Sequence, residues 1–233
     1  DISPDAEVMK TISANLDKLS VVSKERQWNE LKSILTLTAP NNAISAMSEI
    51  GLLDDYFNGI GINDAFVNLI EIESKISFSI DPILRLSTLI ENSLDKANTI
   101  IKKLPLSKSE STDLLKLSTL NKKIVSYMSM KEVRYLLYLL GRDGFQKQII
   151  VNWAKDTNNK NEVNWRSLYE VAQSWEKPSF ALTAKDVINM GISQGPMVGD
   201  ILKEVEEWWA ENDFIEDKFS LIERLKAIVQ SKK

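Results

Sequence analysis

The chain has 233 residues, of which 43% are apolar and 27% are charged, and its formal net charge is −4. It contains no cysteine and no histidine, which excludes disulfides, thiolate zinc sites, a Ser-His-Asp triad and a histidine base. There is no run of about 18 apolar residues and no signal-peptide pattern at the N-terminus, so we expect a cytoplasmic protein without a membrane span.

The N-terminal third has the period of amphipathic helices. Ser23 is positioned to cap a helix with the sequence KERQWNELKSIL, in which Trp28 and Leu31 share a face. A short helix is predicted for Ala43–Ile50, and Gly51 is expected to end it because glycine readily adopts the left-handed conformation of a C-cap.

The middle third also predicts helices. Ser107 and Glu110 have the spacing of a capping box, in which each side chain binds a backbone amide of the first turn. The segment Lys131–Leu140 is strongly apolar on one side, and Gly141 is expected to interrupt it. A further helix is predicted to continue to about Lys155.

In the last third, Thr183 and Asp186 indicate a helix start, and a turn at Gly195 precedes a long helix over Val198–Glu211. A final helix is predicted for Lys218–Gln230. Because strand-like alternation is nearly missing, the predicted fold is all-α, an elongated stack of helix pairs.

Charge is distributed unevenly along the chain. Residues 96–147 hold 11 basic and 4 acidic side chains, net +7, whereas the flanking segments 1–95 and 148–233 have net charges of −8 and −3. A basic middle in an acidic protein is typical of a localised site for a polyanion. A lysine-rich surface that only interacts with solvent is the alternative interpretation.

Three stretches carry a family resemblance. They are residues 23–53, which begin SKERQWNELKSIL, residues 81–90 (DPILRLSTLI) with 131–154, and residues 180–214 with the series Thr-x-x-Asp, Gly, Gly-Pro-x-x-Gly and a long amphipathic helix. In this order they resemble the neck, body and tail of bacterial class II tRNA nucleotidyltransferases, the CCA-adding enzymes, and the related poly(A) polymerases. The resemblance implies a neck-like region at 1–60, an RNA-binding body at 61–160 and a tail at 161–233.

The catalytic head of that family has no counterpart in this sequence. Its Gly-Ser pair and its metal-binding Asp-x-Asp pair do not occur in the 233 residues. Phosphoryl transfer by this family needs two metal ions held by close carboxylates. The resemblance therefore implies that the chain is inactive alone and holds no cofactor, and that Mg²⁺ and CTP or ATP would bind a head expected upstream of residue 1 or on a separate chain.

The resemblance and the basic middle together give the candidate sites. Candidate RNA contacts are Lys102, Lys103, Lys122, Lys123, Arg134, Arg142, Lys147, Gly195, Gly199 and Lys203. The neck-like motif contributes Glu25, Arg26 and Glu30, and Glu30 is spaced to pair with Arg26. For the basic residues the alternative is a solvated side chain, for the two glycines a tight helix–helix corner, and for the neck motif a surface ion pair.

Two further groups of residues are interpreted as structural. The carboxylates Glu204, Glu206, Glu207, Glu211 and Asp213 are expected to form a solvated face opposite the apolar stripe of the long helix, without a metal. Most of the six tryptophans are expected to pack in the core, with at most one of Trp208 and Trp209 fully buried.

The predicted function is a tRNA-binding module that positions the tRNA 3′ end for a head domain. Its expected partners are therefore tRNA and that head, and no membrane is expected. One alternative is the tail of a poly(A) polymerase, and another is a non-catalytic helical scaffold that binds protein.

Overall fold

The computed structural model describes residues 5–54, 61–119, 124–158 and 161–232. Over these ranges all regular secondary structure is helical, which confirms the predicted all-α class. The first helices are α1 (Ala6–Ser13), α2 (Lys24–Leu35), α3 (Asn41–Glu49), α4 (Asp64–Lys75), α5 (Pro82–Leu89), α6 (Leu94–Lys103) and α7 (Lys108–Ser118), with a 3₁₀ helix at Leu16–Val21. The others are α8 (Met130–Lys155), α9 (Glu162–Ser174), α10 (Ala184–Ile188), α11 (Pro196–Glu211) and α12 (Lys218–Ser231).

The predicted helix starts are confirmed by their caps. The Ser23 side chain accepts a hydrogen bond from the amide of Arg26 at 3.3 Å. Ser107 and Glu110 form the predicted capping box, with the Ser107 amide donating to Glu110 at 2.8 Å. These bonds satisfy amides that have no partner within the helix.

Two glycines interrupt helices where the sequence indicates. Gly51 follows α3 with φ +76°, and Gly141 kinks α8 with φ +71°. Side chains with a Cβ rarely adopt this left-handed region, so glycine is the favoured residue at both positions.

The chain divides into two compact units, the first comprising Asp1–Ser126 with Gln146–Tyr169. At its centre lies α5, in which every residue from Ile83 to Leu89 is buried. This helix packs against α2, α4 and α7. Because α5 is buried on all sides, its polar residues as well as its apolar ones lie in the core of the first unit.

The second unit comprises Tyr127–Phe145 with Glu170–Lys233. Its α11 packs against α10 and α12 and buries Val205 and Trp209. The Tyr138 and Trp209 rings meet edge to face at 6.0 Å, a favourable geometry for aromatic pairs.

These units are defined by packing, whereas the three regions at 1–60, 61–160 and 161–233 were defined by sequence resemblance. The three-region division therefore stays a prediction, as does the elongated arrangement of the helix pairs. Throughout the part of the chain that the structure describes, none of the helices combines the length and apolarity needed to traverse a bilayer.

Candidate nucleic-acid interface

Two of the predicted RNA contacts lie on the turn between α6 and α7 in the first unit. Lys102 and Lys103 end α6 and both are exposed. The turn is anchored by Leu104, which is buried, and by the capping box that opens α7. Because Lys102 and Lys103 lie on the last turn of α6, their positive charges also interact favourably with the negative end of the helix dipole. This turn, Lys102 to Ser107, is called the α6–α7 turn below.

Lys147, on α8, has an internal partner. Its ammonium lies 2.9 Å from the Asp81 carboxylate, and the side chains are only 18% and 22% exposed. Asp81 also caps α5 by accepting from the amides of Ile83 and Leu84. Lys147 therefore supports the start of the central helix, and a phosphate would have to compete with Asp81 for it.

Arg134, in the second unit, is held by two parallel hydrogen bonds. Its Nε and Nη2 donate to the two oxygens of Asp213 at 2.6 and 2.5 Å. The guanidinium beside Asp213 holds the pKa of that carboxyl below its usual range. Asp213 and Phe214 have φ values of +63° and +62°, so Arg134 fixes a left-handed turn at the end of α11.

Arg142 follows the Gly141 kink and is exposed. One of its Nη atoms donates to the carbonyl of Trp175 at 2.8 Å. Because a guanidinium has five N–H donors, this single bond leaves donors for a phosphate. Arg142 is thus the more accessible of the two predicted arginines.

The predicted glycine turn, which contains Gly195 and Gly199, lies at the start of α11. Gly195 is its N-cap in an extended conformation, and Pro196 follows at the first helical position. Among the described residues, a Cβ built at Gly195 or at Gly199 would meet nothing within 4 Å. The explanation that glycine avoids a clash at a tight helix–helix corner is therefore wrong for both positions.

Lys203 lies one turn further along α11 and is 75% exposed, with Glu207 at 3.8 Å. An exposed ion pair of this length contributes little to stability. Lys203 can therefore turn towards another anion at little cost. The glycine turn and Lys203 together form an open surface at the start of α11.

The neck-like motif lies on α2. Glu25, Arg26 and Glu30 are all exposed. In the described α2, no ion pair joins Arg26 to Glu30. The apolar side of the same helix, including Trp28 and Leu31, is buried. Exposure leaves the three polar side chains accessible, and their role stays a prediction.

Lys122 and Lys123 lie outside the described residues, so the structure gives no position for them.

Two carboxylates of α11 are engaged inside the second unit. Glu204 lies 2.8 Å from Lys232, and Glu206 accepts from the Tyr138 hydroxyl. Among the described residues no group of carboxylates is arranged to hold a metal ion.

The tryptophans follow the expectation. Trp28, Trp153, Trp165 and Trp209 are buried, and Trp208 is only half-buried, with the Arg224 guanidinium 5.5 Å from its ring centre. Core packing therefore accounts for most of them, as aromatic residues at helical spacing indicate.

The sequence did not reveal the buried ion pair of the first unit. Arg85 donates from Nε and Nη2 to one oxygen of Glu73 at 2.8 and 2.6 Å, and the two side chains are 2% and 3% exposed. Its Nη1 donates to the carbonyls of Leu35 and Leu37, so it also fixes the end of α2. The available signal was the single charged residue in the run 82–90, because a charge inside a buried helix requires a partner.

One cleft of the first unit is unsuited to a polyanion. It has a volume of about 340 Å³ and is lined by Asp64, Glu71, Asp156 and Glu162, with Lys75 held 3.5 Å from Glu162. Carboxylates at this density repel phosphate. The cleft therefore does not belong to a nucleic-acid interface.

Comparison with known proteins gives two kinds of match. A family model described as "Probable RNA and SrmB- binding site of polymerase A" matches residues 1–60. The CCA tRNA nucleotidyltransferase 1, mitochondrial, of Mus musculus is 23% identical over 223 residues, and that of Homo sapiens is 22% identical over 228 residues.

Each of the two nucleotidyltransferase matches covers 95% of the chain and 50% of the relative. The chain therefore spans about half the length of the curated relatives it matches. The similarity therefore runs through both compact units. These matches agree with the neck, body and tail motifs and confirm the resemblance of the chain to class II nucleotidyltransferases and poly(A) polymerases.

Proposed function

We propose that this chain is the tRNA-binding half of a CCA-adding nucleotidyltransferase and positions the tRNA 3′ end for a catalytic head. The observation that carries the proposal is the similarity over 95% of the chain to two CCA tRNA nucleotidyltransferases. The match of residues 1–60 to an RNA-binding family model supports the same partner.

Exposed groups in each unit suggest the mode of binding. A folded tRNA is recognised mainly by its shape, through phosphate and 2′-hydroxyl contacts, so exposed lysines and open backbone amides are the useful groups. The α6–α7 turn offers Lys102 and Lys103 in the first unit, and the start of α11 offers Gly195, Gly199 and Lys203 in the second. Such contacts would determine where the tRNA 3′ end lies and which RNAs are accepted. The head would bind Mg²⁺ and CTP or ATP and would carry out the chemistry.

The experiment measures tRNA affinity of the 233-residue chain as a function of salt. We expect the logarithm of the association constant to fall linearly with the logarithm of the salt concentration, because each neutralised phosphate releases counterions. Replacing Lys102 and Lys103 together by Gln is expected to reduce the magnitude of the slope by about 1–2, since each phosphate contact contributes about 0.9. Lys226→Gln on α12 is the matched control, because Lys226 is an exposed lysine already paired with Glu223 at 2.7 Å.

A poly(A) polymerase tail is the second candidate function, and the wording of the matching family model, which refers to polymerase A, favours it. That function predicts tighter binding of single-stranded RNA than of folded tRNA. Competition between the two RNAs at one salt concentration separates the candidates. A chain that binds neither RNA would contradict both and support a protein-binding scaffold.

A further inference from the structure

Glu110, in the first turn of α7, joins the α6–α7 turn to helix α2. Its Oε2 accepts a hydrogen bond from the amide of Ser107, the last residue of that turn, at 2.8 Å. Its Oε1 accepts one from the Lys32 ammonium on α2 at 2.6 Å, across 78 positions of the chain. The two oxygens of one carboxylate therefore hold two segments that are far apart in sequence, both within the first unit.

The pair of Lys32 and Glu110 is partly shielded from water, with side chains that are 42% and 17% exposed. Burial acts to raise the pKa of Glu110, but the hydrogen bonds from Lys32 and Ser107 together outweigh it, so the pKa lies below its usual value. The carboxylate is therefore ionised at neutral pH and accepts from both donors. A hydrogen bond between charged groups is also stronger than one between neutral groups.

The segment that Glu110 holds carries two of the predicted RNA contacts. Lys102 and Lys103 lie at the start of the α6–α7 turn, and only residues 104–106 separate them from Ser107. Within the turn, the amide of Leu106 donates to the carbonyl of Leu104 at 2.9 Å, which keeps this connection tight. A displacement of Ser107 would therefore also displace the two lysines.

We propose that Glu110 is a positioning residue that couples tRNA binding at the α6–α7 turn to helix α2, an inference that rests on the proposed function. Glu110 holds the lysines of the turn at a fixed place relative to α2, the helix that carries the neck-like motif. Correctly placed contacts bind more tightly because their ordering cost has already been met in the free protein. Because coupling between two sites is reciprocal, tRNA bound at the turn should in return stabilise α2.

Electrostatics alone predicts the opposite effect for the loss of Glu110. An acidic residue beside a phosphate contact repels a polyanion, so its removal would strengthen tRNA binding if charge were the only factor. A positioning role predicts weaker binding. Glu110→Gln separates the two, because glutamine also serves at this position of a capping box. Its amide has one oxygen where the carboxylate has two, so the contact with Ser107 is kept and that with Lys32 is lost.

A double-mutant cycle on tRNA affinity tests the proposal in the 233-residue chain. We expect Lys32→Gln and Glu110→Gln each to weaken binding about three- to tenfold, and the double variant to bind no more weakly than either, because both substitutions break one contact. Lys32→Arg keeps the charge and the donors and should bind as the wild type does. The dependence of affinity on salt should stay unchanged in every variant, because no phosphate contact is removed.

Glu132→Gln is the matched control. Glu132 accepts from the amide of Ser129 at 2.8 Å at the start of α8, in the second unit. The substitution removes one acidic charge from a comparable helix start without touching the α6–α7 turn. We expect unchanged or slightly tighter tRNA binding, and a loss as large as that of Glu110→Gln would contradict a specific role of Glu110. Amide exchange of the free variants checks that the first unit stays folded.

A second measurement follows α2 directly. We expect saturating tRNA to slow amide exchange in α2 of the wild type by about fivefold or more, the lower end of couplings between sites. With Glu110→Gln, at a tRNA concentration that again saturates the chain, that slowing should be lost. A role of Glu110 in stability alone would change exchange in the free protein but not its response to tRNA.

The outcomes separate this coupling from the proposed function. Tighter binding by Glu110→Gln would overturn the positioning role in favour of simple repulsion. A salt slope reduced by about 0.9 in Lys32→Gln and in the double variant would make Lys32 a direct phosphate contact and overturn it as well. Wild-type affinity in all variants would overturn only the coupling, as would slowing of α2 exchange that persists in Glu110→Gln. Absence of tRNA binding in the wild type would overturn the proposed function and this inference with it.

Discussion

Each compact unit contains an arginine paired with a carboxylate, but the surroundings of the two pairs differ. Arg85 and Glu73 in the first unit are 2% and 3% exposed, whereas Arg134 and Asp213 in the second are 37% and 24% exposed. Burial raises the pKa of Glu73 even though Arg85 acts to lower it, while hydrogen bonding from Arg134 lowers the pKa of Asp213. From this difference we expect desolvation, rather than the presence of a pair, to determine how much each arginine contributes to stability.

The largest expected effect is the loss of Arg85. Arg85→Met leaves the buried Glu73 carboxylate and the buried carbonyl of Leu35 without their donor, and it also removes the donor to the partly buried carbonyl of Leu37. We expect the free energy of unfolding to fall by about 3–5 kcal/mol, as for other broken buried pairs. Amide exchange in the first unit measures the loss.

A double substitution sharpens this prediction. Glu73→Leu combined with Arg85→Met removes the uncompensated charge, so we expect the double variant to be more stable than Arg85→Met alone. A double variant that is as unstable as the single one would mean that the carbonyls of α2, rather than Glu73, depend on Arg85.

A smaller effect is expected for Arg134→Met. The pair is partly solvated, so we expect a loss of about 1 kcal/mol or less. Because the two units need not unfold together, amide exchange measured separately in each unit is the appropriate method. If Arg134→Met lowered the free energy of unfolding as much as Arg85→Met, burial would not explain the difference between the two pairs.

Asp213→Asn extends the same test to RNA. If phosphate competes with Asp213 for Arg134, Asp213→Asn should strengthen tRNA binding by releasing the guanidinium. We expect little change, because the two parallel hydrogen bonds and the left-handed turn already occupy Arg134. A gain in affinity that Arg134→Met reverses would assign Arg134 to the interface.

Gly199→Ala is expected to stabilise the second unit by about 0.5–1 kcal/mol, because glycine inside a helix costs that much relative to alanine. A Cβ there meets nothing within the described chain. We expect the same variant to weaken tRNA binding if the RNA backbone approaches α11. Gly141→Ala should have the opposite effect on stability, since the φ of +71° at Gly141 makes a Cβ unfavourable.

The smallest expected effect depends on pH. The pKa of Asp213 is lowered in the folded protein, so its contribution to stability is present above the unfolded pKa of about 3.9 and is lost as the pH falls below it. Asp213→Asn should therefore reduce the acid sensitivity of amide exchange in the second unit and leave the first unit unchanged. Equal acid sensitivity in the wild type and the variant would contradict this assignment.

The sequence by itself determined the all-α class, the capped helix starts at Ser23 and Ser107, and the breaks at Gly51 and Gly141. These features depend on contacts between residues a few positions apart, such as a side chain that binds the amides of its own first turn. The family resemblance also came from linear motifs, which is why it could be found without a fold.

Only the tertiary structure decided which charged residues are engaged internally. Lys147 pairs with Asp81 across 66 positions, Arg134 with Asp213 across 79, and Arg85 with the end of α2 across about 50. Sequence spacing within one helix carries no information about such partners, because they are brought together by the packing of different helices. For the same reason, the contact between Lys32 and Glu110 and the empty space around Gly199 became visible only once the neighbouring helices were in place.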